Sequence, residues 1–91
     1  MMIKVHLPVD LAEAFGAPVE TAVPGRTLTD VLEALEGRYP GLSRWVMDSD
    51  GRFRTHLSVF VHGRRVDEAA APLPGLDEGD EVWILRAVSG G

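Results

Sequence analysis

Apolar and polar side chains alternate along several short stretches of the chain, and this two-residue period is typical of strands that bury one face. Near the N-terminus, Ile3, Val5 and Leu7 are apolar whereas Lys4 and His6 are polar. The stretch nearest the C-terminus is too apolar for an edge strand, so we expect it in the middle of a sheet. The predicted strands cover residues 2–9, 19–23, 55–62, 65–67 and 81–87.

One longer stretch has its apolar side chains at helical spacing instead. Thr27 precedes Asp30 by three residues, which predicts a capped helix start. The apolar face of this helix comprises Leu28, Val31, Leu32, Leu35 and Tyr39. Pro40-Gly41 should end the helix, because proline disfavours helical geometry in the residue before it. Residues 42–47 leave room for one or two further turns, and a single turn is predicted at 73–76.

The order of these elements predicts an α+β protein, in which one main helix lies across one face of a mixed sheet of four to five strands. This is the β-grasp, or ubiquitin-like, arrangement. The first two strands are expected to pair through a loose loop around Gly16-Ala17-Pro18, and the right-handed crossover should bring the last strand beside the first in parallel. We predict a single β-grasp domain over residues 1–87 and a flexible C-terminal tail over residues 88–91.

Bulk composition excludes several classes of function. A chain of 91 residues, 45% of them hydrophobic, has the size of one small domain with its own core. The absence of cysteine excludes a disulfide framework, a zinc-thiolate site and a cysteine nucleophile. A net charge of -5 offers no basic surface for nucleic acid, so protein partners are expected instead. No apolar stretch reaches the roughly 20 residues of a membrane span or forms a secretory signal, so we expect a cytoplasmic protein.

The most informative feature is the C-terminal Gly90-Gly91, which follows the last predicted strand almost directly. Two residues without side chains leave an unshielded carboxylate that an enzyme can thread into a narrow channel. A carboxylate is a poor acyl donor, and ATP-driven adenylation supplies the missing leaving group. Sulfide equivalents from a sulfurtransferase can then displace the adenylate and leave a thiocarboxylate on Gly91. Taken alone, terminal glycines have the alternative interpretation of a frayed end.

The sequence before the diglycine strengthens the first interpretation. Residues 76–85 lead through Arg86-Ala87-Val88-Ser89 into Gly90-Gly91, and this arrangement resembles the MoaD/ThiS/CysO family of ubiquitin-like sulfur carriers. The resemblance extends over the whole chain. The helix sequence at 32–42 and Met47-Asp48 are most similar to the CysO branch, which feeds cysteine biosynthesis.

This resemblance implies a carrier protein that is not itself an enzyme and holds no cofactor. An E1-like adenylyltransferase of the MoeB or ThiF type would activate Gly91 with ATP, and a sulfurtransferase would supply the sulfur. The acceptor would be a PLP-dependent cysteine synthase or, in a MoaD-like alternative, the large subunit of molybdopterin synthase. Arg86 stands where these carriers commonly have proline, and ubiquitin-type tails carry arginine near their diglycine. Use as a protein modifier is therefore a further alternative.

Strand parity also predicts a docking surface on the side of the sheet opposite the helix. If the even positions of the last strand face the helix, Trp83 and Leu85 must point to the other side. Phe60 should lie beside them and His6 should flank them, giving an exposed apolar cluster typical of partner binding. The alternative is a one-residue register slip that would place Trp83 in the core. The predicted partner-binding residues are Phe60, Trp83, Leu85, Arg86, Ala87, Val88 and Ser89.

Histidines and acidic residues are weaker candidates for a metal site. His56 and His62 share one face of a predicted strand, but six residues along a strand span about 20 Å, too far for two ligands of one ion. Asp48-Ser49-Asp50-Gly51 resembles the start of a calcium loop, although its glycine comes too early and Val59 occupies the place of the final glutamate. We predict a turn there and no metal site.

Overall fold

The computed structural model describes residues 1–67 and 75–87. Within these ranges the chain forms five strands and three helices. In chain order they are β1 (Met2–His6), α1 (Val9–Phe15), β2 (Glu20–Pro24), α2 (Leu28–Arg38), α3 (Leu42–Val46), β3 (Leu57–Val61), β4 (Arg64–Val66) and β5 (Glu81–Arg86). The predicted strands and the predicted main helix are confirmed, although their ends differ by a few residues. Half of the turn predicted at 73–76 lies outside the described residues, and so does the whole of the tail predicted at 88–91.

The strands form one mixed sheet in the order β2-β1-β5-β3-β4. β5 lies between β1, which it joins in parallel, and β3, which it joins antiparallel. The outer pairs, β1 with β2 and β3 with β4, are antiparallel. The C-terminal strand is thus central, as its apolar sequence predicts, and the parallel crossover completes the predicted β-grasp fold.

The core lies between one face of this sheet and the apolar side of α2. The inward residues of β1 and β5 include Val5, Val82 and Ile84, which are fully buried, and α2 contributes Val31 and Leu35. Burying a side chain of this size stabilises the fold by roughly 1.5–3 kcal/mol. A one-residue shift in the pairing of β5 would move these apolar side chains from the core to the other face of the sheet. Because that shift is costly, the register is fixed, and the alternate positions of β5 must face away from α2.

The start of α2 is capped as the sequence predicts. Thr27 Oγ1 accepts a hydrogen bond from the Asp30 backbone N–H at 3.1 Å, and Asp30 Oδ2 accepts one from the Arg26 N–H at 3.1 Å. Backbone N–H groups at a helix start have no partners within the helix, so side-chain acceptors stabilise this end. The helix ends at Arg38, directly before Tyr39-Pro40.

The connection between β1 and β2 differs from the loose loop that the sequence predicts. It contains α1, a seven-residue helix that follows Pro8 and is capped at its C-terminal end by Gly16, whose φ of 65° is left-handed. Leu11 and Ala12 are buried from this helix. The loop prediction was wrong because about two helical turns give too few apolar positions for a clear period. Packing against the rest of the protein stabilises so short a helix.

Glu36 holds the turn between α2 and α3. Its carboxylate accepts hydrogen bonds from the Gly41 N–H at 2.7 Å, the Ser43 N–H at 3.0 Å and the Ser43 hydroxyl at 2.6 Å. These bonds favour the charged carboxylate, so the Ser43 hydroxyl, followed by the two backbone N–H groups, lowers the pKa of Glu36. The short helix α3 is thereby fixed beside α2, with Leu42 and Val46 in the core.

Candidate docking face and tail root

The outer face of the sheet, opposite α2, carries large apolar side chains. Along β5, Val82 and Ile84 are fully buried, whereas Trp83 is 41% exposed and Leu85 is 40% exposed. This alternation confirms the predicted parity of the strand. The alternative of a register slip that buries Trp83 in the core is therefore excluded.

Trp83 is held in place by His6 of the neighbouring parallel strand. The two rings stack with centroids 3.5 Å apart and planes inclined by 6°. His6 Nε2 lies 2.5 Å from Glu81 Oε1, and its Nδ1 lies 3.6 Å from Glu20 Oε1. The imidazole thus has a glutamate on each edge, and its face stacks on the indole of the neighbouring strand. Stacked aromatic pairs contribute roughly 0.5–1.5 kcal/mol beyond the area that they bury.

Phe60 lies on the other side of Trp83. The two residues are direct partners in the antiparallel β3–β5 register, and Ser58 opposes Leu85 in the same pairing. Phe60 is half-buried on this face, while the residues on either side of it in β3 are inward. His6, Phe60, Trp83 and Leu85 therefore form one continuous surface, which we call the outer-face patch. Their placement is the one that strand parity predicts.

The last described residues of the chain lie at one end of this patch. Arg86 is the last residue of β5, and its guanidinium group forms an ion pair with Asp10 of α1. The Ala87 N–H donates a hydrogen bond to the His56 carbonyl at 3.0 Å. We call this point the tail root, because it directly precedes the predicted tail, Val88-Ser89-Gly90-Gly91, which lies outside the described residues.

The Asp10–Arg86 contact is one that sequence reasoning missed. Asp10 belongs to α1, which the sequence does not predict, so no signal placed an acidic side chain beside the end of β5. Both side chains are about half exposed or more. An ion pair this exposed adds little to stability, and its structural consequence is to join α1 to the tail root.

The histidines and acidic residues make contacts with one another at several separate places in the described structure. His6 is engaged by Trp83 and Glu81, and His62 Nε2 lies 3.6 Å from Asp80 Oδ2. Asp48 Oδ1 accepts hydrogen bonds from backbone N–H groups of its own turn. Among the described residues, no group of three potential ligands is placed to hold a metal ion. Nor does any helix in the described part of the chain combine the length and apolar character that a membrane crossing needs.

Comparison with known proteins places this geometry in a family. The model of the ThiS family matches residues 5–91. The chain is 31% identical to the sulfur carrier protein CysO of Mycobacterium tuberculosis over 93 aligned positions, covering 100% of both chains. It is 39% identical to small archaeal modifier protein 1 of Haloferax volcanii over 84 aligned positions, covering 90% of this chain and 92% of that protein.

Solved structures of the same two proteins share the fold. The crystal structure of Mycobacterium tuberculosis CysO gives a TM-score of 0.79 at 29% identity, covering 94% of this chain and 99% of that one. The crystal structure of SAMP1 from Haloferax volcanii gives a TM-score of 0.73 at 30% identity, with 100% of each chain covered.

The fold and these similarities define a ubiquitin-like protein of the small sulfur carrier and modifier class. The chain belongs to the ThiS family. The resemblance to MoaD/ThiS/CysO carriers predicted from the sequence is thereby confirmed.

Proposed function

We propose that this chain is a sulfur carrier whose Gly91 is adenylated and then converted into a thiocarboxylate. The observation that carries the proposal is the terminal Gly90-Gly91, which follows the last strand by only a few residues in a chain similar to CysO over its whole length. The carrier acts as a co-substrate of other enzymes. It needs no cofactor of its own, because the activating enzyme uses the ATP.

The proposed chemistry has two balanced steps. The Gly91 carboxylate attacks the α-phosphorus of ATP, so that an acyl adenylate forms and pyrophosphate leaves. A sulfurtransferase then supplies sulfur at the oxidation level of hydrosulfide. Attack of this sulfur on the acyl carbon forms a carbon–sulfur bond, breaks the bond to the AMP oxygen and leaves a thiocarboxylate.

Gly90 and Gly91 suit the first step because neither has a side chain. A narrow channel in an activating enzyme can hold such a segment, whereas a bulky residue at either position would collide with the channel wall. We therefore assign the acylation site to Gly91 and the threading of the tail to Gly90.

We propose that the outer-face patch and the tail together bind the partner enzymes. Phe60, Trp83 and Leu85 supply an apolar contact surface, and aromatic residues of this kind commonly dominate binding energy. Arg86, Ala87, Val88 and Ser89 follow in the chain, so a partner that covers the patch also reaches the tail. The first expected partner is an E1-like adenylyltransferase of the MoeB or ThiF type, acting in the cytoplasm where ATP is abundant.

The similarity to CysO supports a proposal for the acceptor of the sulfur. We propose a PLP-dependent cysteine synthase, in which the thiocarboxylate attacks an aminoacrylate-like intermediate and cysteine becomes joined to Gly91. Mixing thiocarboxylated carrier with candidate acceptors should give a cysteinyl adduct by intact mass. Turnover by the large subunit of molybdopterin synthase alone would assign the chain to the MoaD-like alternative.

A second candidate function is protein modification, which the similarity to an archaeal modifier protein and Arg86 near the diglycine both favour. In that case the activated Gly91 would form amide bonds with lysines of other proteins. Intact-mass measurement on the protein isolated from its native host separates the two functions. A thiocarboxylate supports the carrier, whereas free acid accompanied only by conjugates supports the modifier.

A further inference from the structure

A second surface adjoins the tail root, on the side of the molecule that carries α1 and α3. A cleft of about 200 Å³ lies between these helices and the end of β5. Leu11 and Leu57 are buried at its floor, Trp45 forms one wall, and Asp10 and Arg86 lie at its margin. Sites for small-molecule ligands usually have about 300 to 1,000 Å³, so this cleft is suited to a single apolar side chain.

Trp45 is the prominent feature of this cleft. Its side chain is 55% exposed, while Leu42 and Val46 of the same helix are fully buried. An indole left this exposed has little to gain from the fold itself, and tryptophan is the residue type most enriched in binding hot spots. Trp45 also lines a shallow hollow next to the cleft, which it shares with Arg44, Arg54 and His56.

One of the two cations of this hollow is held against α3 by a hydrogen bond. Arg54 Nε donates a hydrogen bond to the Arg44 carbonyl at 2.7 Å, which holds the Arg54 guanidinium group beside α3. Within the described residues, neither Arg44 nor Arg54 forms an ion pair with a carboxylate. Arg44 does act at longer range on Glu36, whose pKa the Ser43 and Gly41 hydrogen bonds lower more strongly. The hollow is thus a basic patch on a chain with a net charge of -5.

We infer that this cleft and the two arginines beside it form a docking site for an acidic segment of a partner protein that carries one apolar side chain between its carboxylates. The apolar side chain enters the cleft against Trp45, and the carboxylates pair with Arg44 and Arg54. Nucleic acid is a poorer match, because two arginines on an acidic chain displace few counterions.

The proposed docking site lies next to the tail root. Because Ala87 is hydrogen-bonded to His56, a segment seated beside Trp45 lies next to the point where the tail leaves the sheet. The outer-face patch borders the same point from the other face of the sheet. A partner that uses both surfaces would hold the tail root from two sides. The inference rests on the cleft and not on the chemistry of Gly91, so it can fail while the proposed function holds, and the reverse.

A peptide titration tests this site on the full-length chain. The probes are acetylated and amidated pentapeptides in which Leu, Phe or Trp stands between two Asp-Glu pairs, and the observed signals are the indole N–H groups of Trp45 and Trp83 and the backbone N–H of His56. We expect saturable shifts of Trp45 and His56, with Trp83 unchanged. Binding should weaken with added salt and disappear when Ser replaces the central residue or when Asn and Gln replace the acids.

Variants make the assignment specific. Trp45→Ala should weaken binding of the best probe by about tenfold or more, and Arg54→Gln should weaken it and reduce its salt dependence. Arg64→Gln, which alters an exposed arginine on β4, is the matched control and should bind normally. If Trp45→Ala proves unstable, the double variant Trp45→Phe with Arg44→Gln replaces it, and this variant should also bind the best probe more weakly.

Four results would overturn the proposal. The first is the absence of binding by all three probes at millimolar concentration, and the second is a response centred on Trp83. The third is evidence for a different occupant of the cleft. A Trp45 signal that depends on protein concentration would indicate a second copy of the chain, and a Trp45 signal that shifts when residues 88–91 are deleted would indicate the chain's own tail. The fourth is tighter binding of a single-stranded oligonucleotide at the same signals.

Discussion

His6 and Trp83 lie opposite each other on the parallel strands β1 and β5, with ring centroids 3.5 Å apart and planes 6° from parallel. Glu81, two residues earlier on the same outward face of β5, lies 2.5 Å from the imidazole through its Oε1 and the Nε2 atom of His6. The indole therefore has a fixed orientation, although 41% of its surface is exposed. A preorganised aromatic side chain loses little conformational freedom on binding, which suits it to a docking surface.

Replacing Trp83 with alanine tests the role of the outer-face patch. We expect Trp83→Ala, and likewise Phe60→Ala, to weaken binding of the activating enzyme by roughly 1 kcal/mol or more while the fold is largely retained. Ile84→Ala is the matched comparison from the inward side of the same strand, and it should cost about 2–5 kcal/mol of unfolding free energy. Isothermal titration and urea unfolding measure the two quantities. A stable double variant with normal affinity would show that the docking face lies elsewhere.

Two glycines in open surroundings should respond to alanine in opposite directions. A Cβ at Gly16 or at Gly37 would have no heavy atom within 4 Å, but Gly16 has a φ of +65° whereas Gly37 lies within α2. We expect Gly16→Ala to destabilise the fold by about 1–2 kcal/mol, because a side chain disfavours the left-handed region. Gly37→Ala should stabilise it by about 0.5–1 kcal/mol. Urea unfolding of both variants checks this, and equal effects would contradict the φ assignment.

Stability should also depend on the ionisation of Glu36. Hydrogen bonds from Ser43 and Gly41 lower its pKa below the ordinary value of 4.5. A carboxylate whose pKa is lower in the folded state stabilises the fold above its unfolded pKa, and this contribution is lost as the pH falls through the folded pKa. We expect the difference in thermal midpoint between the wild type and Glu36→Gln to shrink as the pH is lowered from neutral into that range. Glu33→Gln, at an exposed position of the same helix, is the matched control for the replacement of a glutamate on α2.

The sequence was sufficient for the sheet and for the outer-face patch, because both depend on strand parity. The alternation at Val82, Trp83 and Ile84 fixes which side chains face α2, and the apolar character of the strand predicts its central place. Pairing of β3 with β5 then brings Phe60 beside Trp83 without further information. The alternation of apolar and polar residues and the order of the elements can both be read from the sequence.

The cleft beside the tail root could not be predicted in this way. It depends on α1, whose seven residues are too short to show a helical period, and on the approach of Asp10 to Arg86 across most of the chain. In the short helix α3, Leu42 and Val46 occupy the core whereas Trp45 is exposed, and five residues are too few to show a period that distinguishes them. Contacts of this kind arise from tertiary packing and leave no periodic signal.

The central claim is that Gly91 is the site of activation. The direct measurement is acyl-adenylate formation, followed by intact mass and pyrophosphate release, after incubation with an E1-like activating enzyme and ATP. The full-length chain and the Gly37→Ala control should form the adenylate, whereas a chain lacking Gly91, or with Gly90→Trp, should not. Because β5 ends at Arg86, both tail variants should keep the thermal midpoint of the full-length chain. Undiminished adenylate formation by the chain that lacks Gly91 would contradict the sulfur-carrier account.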